Sequence, residues 1–190
     1  MSSRQKIGLI YAKTINDLTE YLNGTPDATG VRVEMGPRFW GCPSIVQTGI
    51  PDPDLEDDRV ELMEAIADHP SLEVLVFRGS SWATFEDLAM ILRGTLGHAT
   101  FRSVMVPVVP PENYTNPTIR SRQLRGFTQL IYKSSSLTNV RITNGTNNPG
   151  DYPDGYGEHL ETKMTQSIQK AVKSLLRIKS LSRQDRESKV

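Results

Sequence analysis

The chain has 190 residues, and its 22 Lys and Arg are balanced by 22 Asp and Glu, so the formal net charge is zero. That length suits one domain with a real core. The 37% hydrophobic share, clustered in segments, excludes a wholly disordered chain, and neutrality removes the simplest argument for nucleic-acid binding. The only cysteine, Cys42, excludes an internal disulfide, and the longest apolar runs, such as Val104 to Val109, fall far short of the roughly 20 residues of a membrane-spanning helix.

The elements follow in chain order. Lys6 to Lys13 reads as a short strand; no signal-peptide core precedes it, which points to a reducing, intracellular setting. Thr14 starts a helix whose Ile15, Leu18, Tyr21 and Leu22 share a face, and Asn23-Gly24 ends it. Val31, Val33 and Met35 alternate with Arg32 and Glu34 as in a half-buried strand, and the loop that follows holds Phe39 and Trp40. Asp54 can cap a helix running to His69, with Leu55, Leu62, Met63 and Ile66 inward and acids in its first turn. Leu72 to Phe77 is the strongest strand signal. Thr84 to Arg93 reads as a short helix with Phe85, Leu88, Ile91 and Leu92 inward, and Phe101 to Val109 as a strand stopped by Pro110 and Pro111.

Residues 110 to 122 read as an exposed loop. Leu124 to Tyr132 and Leu137 to Thr143 then suggest an antiparallel hairpin through Lys133 to Ser136. After a Gly, Asn, Pro and Asp loop, Leu160, Met164, Ile168, Ala171, Val172, Leu175 and Ile178 recur at helical spacing from about Glu158 to Lys179. The expected architecture is therefore α+β: a single domain over 1–182, with a mixed or antiparallel sheet packed by short helices and a long C-terminal amphipathic helix. A polar disordered tail over 183–190 follows.

Two segments match in register. Thr14 to Thr25 and Thr84 to Thr95 share Thr, Asp, Leu, Leu, Gly and Thr, and each follows a strand. Both spell a threonine N-cap, an acid at the third helical position, an inward leucine pair and a glycine stop. Duplication and convergence on good capping explain two copies equally, so no repeat protein is inferred.

Nothing spells a catalytic or metal motif. His69, His98 and His159 are scattered, Cys42 has no histidine near it in sequence, and the acids of 52 to 64 lack the spacing of a calcium loop. No cofactor is expected. The candidates are interaction sites. Arg120, Arg122 and Arg125, with Lys170, Lys173 and Arg177 on the last helix, offer a basic surface to phosphates of RNA or acidic lipid. Asp57, Asp58 and Glu61, with Trp40, are candidates for self-association, the acidic region of one copy meeting the basic end of the next. Pro110, Pro111 and Tyr114 form a stiff extended strip that a groove-bearing partner can grip. Solvated helix faces, charged strand edges and a rigid loop are the plainer alternatives.

The order strand, capped helix, strand, carried by Val74 to Phe77, Thr84 to Leu88, Ile91 to Arg93 and Val104 to Val106, resembles the core of rhabdovirus-type matrix proteins. Leu124 to Tyr132 looks like that family's later strand. The chain departs from the family in lacking a basic N-terminal arm, and is closer in this to the smaller matrix proteins of plant-infecting members. The resemblance implies a non-enzymatic structural protein of the virion or host cytoplasm. It would self-associate and link a viral nucleocapsid or RNA to a peripheral acidic membrane or to host proteins. The alternative expectation is a host-interacting adaptor or RNA-binding accessory protein, with an enzyme assembled only on folding as a third.

Overall fold

The computed structural model describes residues 7–40, 53–79, 81, 83–108, 117–144, 169–181 and 184. Strands and helices alternate: β1 (Ile7–Ala12), α1 (Ile15–Gly24), β2 (Gly30–Met35), α2 (Pro53–Asp68), β3 (Val74–Gly79), α3 (Phe85–Gly94), β4 (Ser103–Val108), α4 (Pro117–Lys133) and β5 (Asn139–Asn144). A further helix covers 169–181. The strands form one sheet in the order β1-β2-β3-β4-β5, with every neighbouring pair parallel.

This corrects the expected α+β class with its mixed or antiparallel sheet: the fold is α/β and the sheet is all parallel. The error lies at 124–143. Phe127 and Ile131 are buried four residues apart, on one face of α4, whereas the strand reading takes the same short apolar run as extended. Once that run is a helix, β5 reaches β4 by a crossover, and the two strands pair in parallel.

Each crossover steps to the next strand in the same direction, and right-handed crossovers then place every helix on one face of the sheet. The packing agrees: α1 lies on α2, α2 on α3, and α3 on α4. Val31, Val33, Met35, Leu75, Phe77, Val104, Val106, Val140 and Ile142 point into this helix-covered face and are buried. Two layers result, built like a short solenoid of βα units. The units are tied by a recurring backbone ladder at the strand starts. Glu73 and Val74 N–H donate to the Thr29 carbonyl, Arg102 and Ser103 to that of Glu73, and Thr138 and Asn139 to that of Arg102.

The matched segments form α1 and α3 as their sequence dictates. Thr14 and Thr84 are N-caps, each closing a reciprocal capping box with Asp17 or Asp87, and Leu18, Leu22, Leu88 and Leu92 are buried. The two boxes differ in setting. Asp87 is fully buried and accepts from Arg59 Nε of α2 at 2.7 Å as well as from Thr84. Beyond it Gly94 lets α3 close on α2, because a Cβ there would fall 2.7 Å from the Met63 carbonyl oxygen.

The last unit is closed by the 169–181 helix. The Gln169 side-chain amide pairs with the outer edge of β5, Oε1 accepting from Ile142 N–H at 3.0 Å and Nε2 donating to the Val140 carbonyl at 3.0 Å. Lys179 Nζ donates to the carbonyls of Ile131, Ser134 and Leu137 at the end of α4, where an ammonium suits the helix dipole. Val172 is buried beneath this helix.

Candidate functional site

A parallel sheet is normally covered on both faces. Among the described residues this one carries helices on one face only, and the register lays out what the other face presents. One row across the strands reads Leu9, Arg32, Val76, Met105, Arg141. The row before it reads Ile7, Gly30, Val74, Ser103, Asn139, and the row after it begins Tyr11, Glu34, Arg78. Ile7, Leu9 and Tyr11 are 57%, 67% and 64% exposed, Arg78 and Arg141 are exposed, and Val74, Val76 and Met105 are half-buried. Arg32 and Glu34 form a 2.6 Å ion pair within β2. The face thus runs from an apolar edge at β1 to a centre where apolar side chains lie between arginines.

The sequence-predicted residues fall elsewhere. Trp40, expected at a subunit contact, is 4% exposed and packs its ring on Phe39 and Phe77, at centroid distances of 4.8 and 5.4 Å. Asp57, Asp58 and Glu61 lie on α2, with Asp57 and Glu61 exposed. Arg120 and Arg122, expected in a loop, and Arg125, expected in a strand, all belong to α4, and Arg125 is exposed. Lys170, Lys173 and Arg177 are exposed on the 169–181 helix, while its Lys179 is taken up by the carbonyls of Ile131, Ser134 and Leu137. Pro110, Pro111, Tyr114, Cys42 and His159 lie outside the described residues. The strand expected at 124–132 is helix α4, which removes that part of the matrix-protein resemblance.

His69 and His98 do come into corresponding positions, in successive helix-to-strand loops. Each is a brace. Ser71 N–H donates to His69 Nδ1, whose Nε2 meets the Thr25 carbonyl at 3.1 Å. His98 Nδ1 accepts from Thr100 and Phe101 N–H at 3.3 and 3.1 Å, which fixes the proton of the neutral ring on Nε2. Burial holds the His98 imidazole below its usual value of 6.5; the nearby His69 carbonyl opposes this, although Nε2 closes no hydrogen bond of normal geometry. Ser136 takes part at the next loop, its hydroxyl donating to the His98 carbonyl at 2.5 Å. A signal for this existed: His69-x-Ser71-Leu72, His98-x-Thr100-Phe101 and Ser134-x-Ser136-Leu137 share one pattern.

No group of three His, Cys, Asp or Glu among the described residues could hold a metal ion. A cleft of about 340 Å³ between α4 and the 169–181 helix is lined by Thr128, Gln129, Tyr132, Lys133 and Leu175, without a carboxylate or imidazole for acid–base work. No helix among the described residues is long and apolar enough to cross a membrane.

No protein-family model and no curated protein sequence matches the chain. Its structure is similar to the tropomodulin C-terminal domain of Caenorhabditis elegans (16% identity, TM-score 0.43, 93% of this chain and 89% of that one). It is also similar to actin-binding site 2 of leiomodin-1 (12%, 0.44, 94% and 98%) and to DspI of Pseudomonas aeruginosa (14%, 0.35, 98% and 80%).

Proposed function

We propose that the protein is a non-enzymatic adaptor whose open sheet face receives an acidic protein segment bearing apolar side chains. The observation that carries this is the middle of that face, where Val76 and Met105 lie between Arg78 and Arg141 on a surface no described element covers. Burial of the aliphatic groups supplies affinity at about 25 cal/mol per Å² of apolar surface, and the arginines, worth little as exposed pairs, steer and orient the acidic partner.

The test is selection of binding peptides from a random display library against the full chain. Enrichment of acidic and aliphatic residues is expected, with binding lost in an Arg78→Glu, Arg141→Glu variant. It should be kept in a Lys170→Glu, Lys173→Glu, Arg177→Glu variant. The reverse pattern, or RNA binding that depends on the 169–181 helix, would overturn the proposal in favour of a phosphate-binding protein.

A further inference from the structure

The two edges of the sheet are treated differently by the chain. At β5 the Gln169 amide occupies the outer backbone groups of Val140 and Ile142. At the opposite edge, β1 pairs with β2 and with no other described strand. Its sequence, Ile-Gly-Leu-Ile-Tyr-Ala, carries none of the charges or prolines that protect an edge from further pairing.

The direction of its free groups follows from one hydrogen bond. Gly36 N–H donates to the Ala12 carbonyl, on the β2 side. In a strand the N–H and C=O of one residue point the same way and alternate along the chain, so Gly8, Ile10 and Ala12 address β2. Ile7, Leu9 and Tyr11 therefore turn their backbone groups to the free edge, and these same three residues expose their side chains on the open face.

We infer that β1 is a homodimerisation edge, at which a second copy of this chain adds its own β1 antiparallel about a two-fold axis through Leu9. That register is self-complementary. Leu9 faces its own copy and Ile7 faces the partner's Tyr11, each as a pair that exchanges both backbone hydrogen bonds. The exposed apolar side chains meet across the axis on one face, and the two sheets become one. Because the β5 edge is occupied, pairing closes at two copies and does not propagate as a fibre. The contact is small, so it forms a concentration-dependent dimer and not an obligate one. It requires no heterotypic partner and stands apart from the adaptor reading.

Light scattering of the full chain across concentration tests the dimer. Leu9→Lys places two ammonium groups opposite each other and removes the apolar pair, so dimerisation should require a concentration at least about tenfold higher. Circular dichroism and thermal unfolding of the monomer should be unchanged by it, since Leu9 lies outside the core.

A second measurement fixes the register in a Cys42→Ser background. Leu9→Cys should couple to itself under mild oxidation or with a short bismaleimide, because the paired Cα atoms would lie about 5.5 Å apart. Tyr11→Cys should not couple to itself, as its copy would lie about 14 Å away along the strand. Mixed Ile7→Cys and Tyr11→Cys chains should couple. A monomer at every concentration, a dimer indifferent to Leu9→Lys, or self-coupling at Tyr11 equal to that at Leu9 would each overturn the inference.

Discussion

Asp17 and Asp87 perform the same task in the same motif, so truncating each in turn isolates what burial adds. In Asp17→Ala the exposed carboxylate that accepts from Lys13 and Thr14 N–H is lost, and water replaces it. The cost should be about 0.5 to 1 kcal/mol, the ordinary worth of a cap. Asp87→Ala removes the same box and also strips Arg59 of its 2.7 Å partner, with a side chain that is only 20% exposed. Breaking such a pair from one side costs about 3 to 5 kcal/mol, reduced to the extent that Arg59 reaches water. At about 2 to 4 °C per kcal/mol for a chain of this size, Asp87→Ala should lower Tm by roughly 6 to 20 °C and Asp17→Ala by only a few degrees. Differential scanning calorimetry reads both. Prior replacement of Arg59 by methionine should shrink the Asp87→Ala effect, because no uncompensated cation is then left behind. Equal losses at the two positions would refute the claim that Arg59 and Asp87 tie α2 to α3.

Burial keeps His98 neutral in the folded state, with its pKa below the usual 6.5. The unfolded chain therefore takes up that proton first, so the His98 contribution is complete above pH 6.5 and is lost as pH falls from 6.5 toward the lowered folded value. Urea midpoints at roughly pH 7.5 and 5.5 should differ more for the native chain than for His98→Asn. Burial raises the Asp87 carboxyl against the pull of Arg59 and Thr84, so its share of stability grows as pH falls from the raised value toward 3.8, with a sign opposite to that of His98. Gly94→Ala should destabilise by about 1 to 3 kcal/mol by chemical denaturation, since the new methyl meets the Met63 carbonyl across the α2–α3 contact. Gln169→Ala should speed amide exchange at Ile142 and promote association through β5, because it uncovers that edge.

Much of the fold was legible because local chemistry and tertiary packing agree in its first two-thirds. The capping boxes at Thr14 and Thr84, the inward leucines that follow, and the alternation of Val31, Val33 and Met35 all survive in the structure. Leu62 and Ile66 are buried on α2 as their spacing implies. Sheet direction was not legible. It depends on whether 124–132 turns back as a strand or crosses over as a helix, and a nine-residue run with scattered apolar positions fits either. Reading Thr14–Thr25 and Thr84–Thr95 as two βα units, together with the loop pattern at His69, His98 and Ser134, would have pointed to parallel strands. The basic and acidic clusters were visible as charge. The open face was not, because its residues lie on different strands and meet only through register: Val76, Arg78, Met105 and Arg141 have no sequence signature as a set.

Among the described residues the sheet is covered on one face and open on the other, and cysteine accessibility tests this directly. In a Cys42→Ser background, single cysteines at Arg78, Asn139 and Arg141 on the open face, and at Val33 and Val106 beneath the helices, are exposed in turn to a thiol reagent under native conditions. Rapid labelling at the first three positions with strong protection at the last two is the predicted result. Comparable protection at Arg78, Asn139 and Arg141 would mean that the face is covered within the folded chain, and would contradict the claim that it is available to a partner.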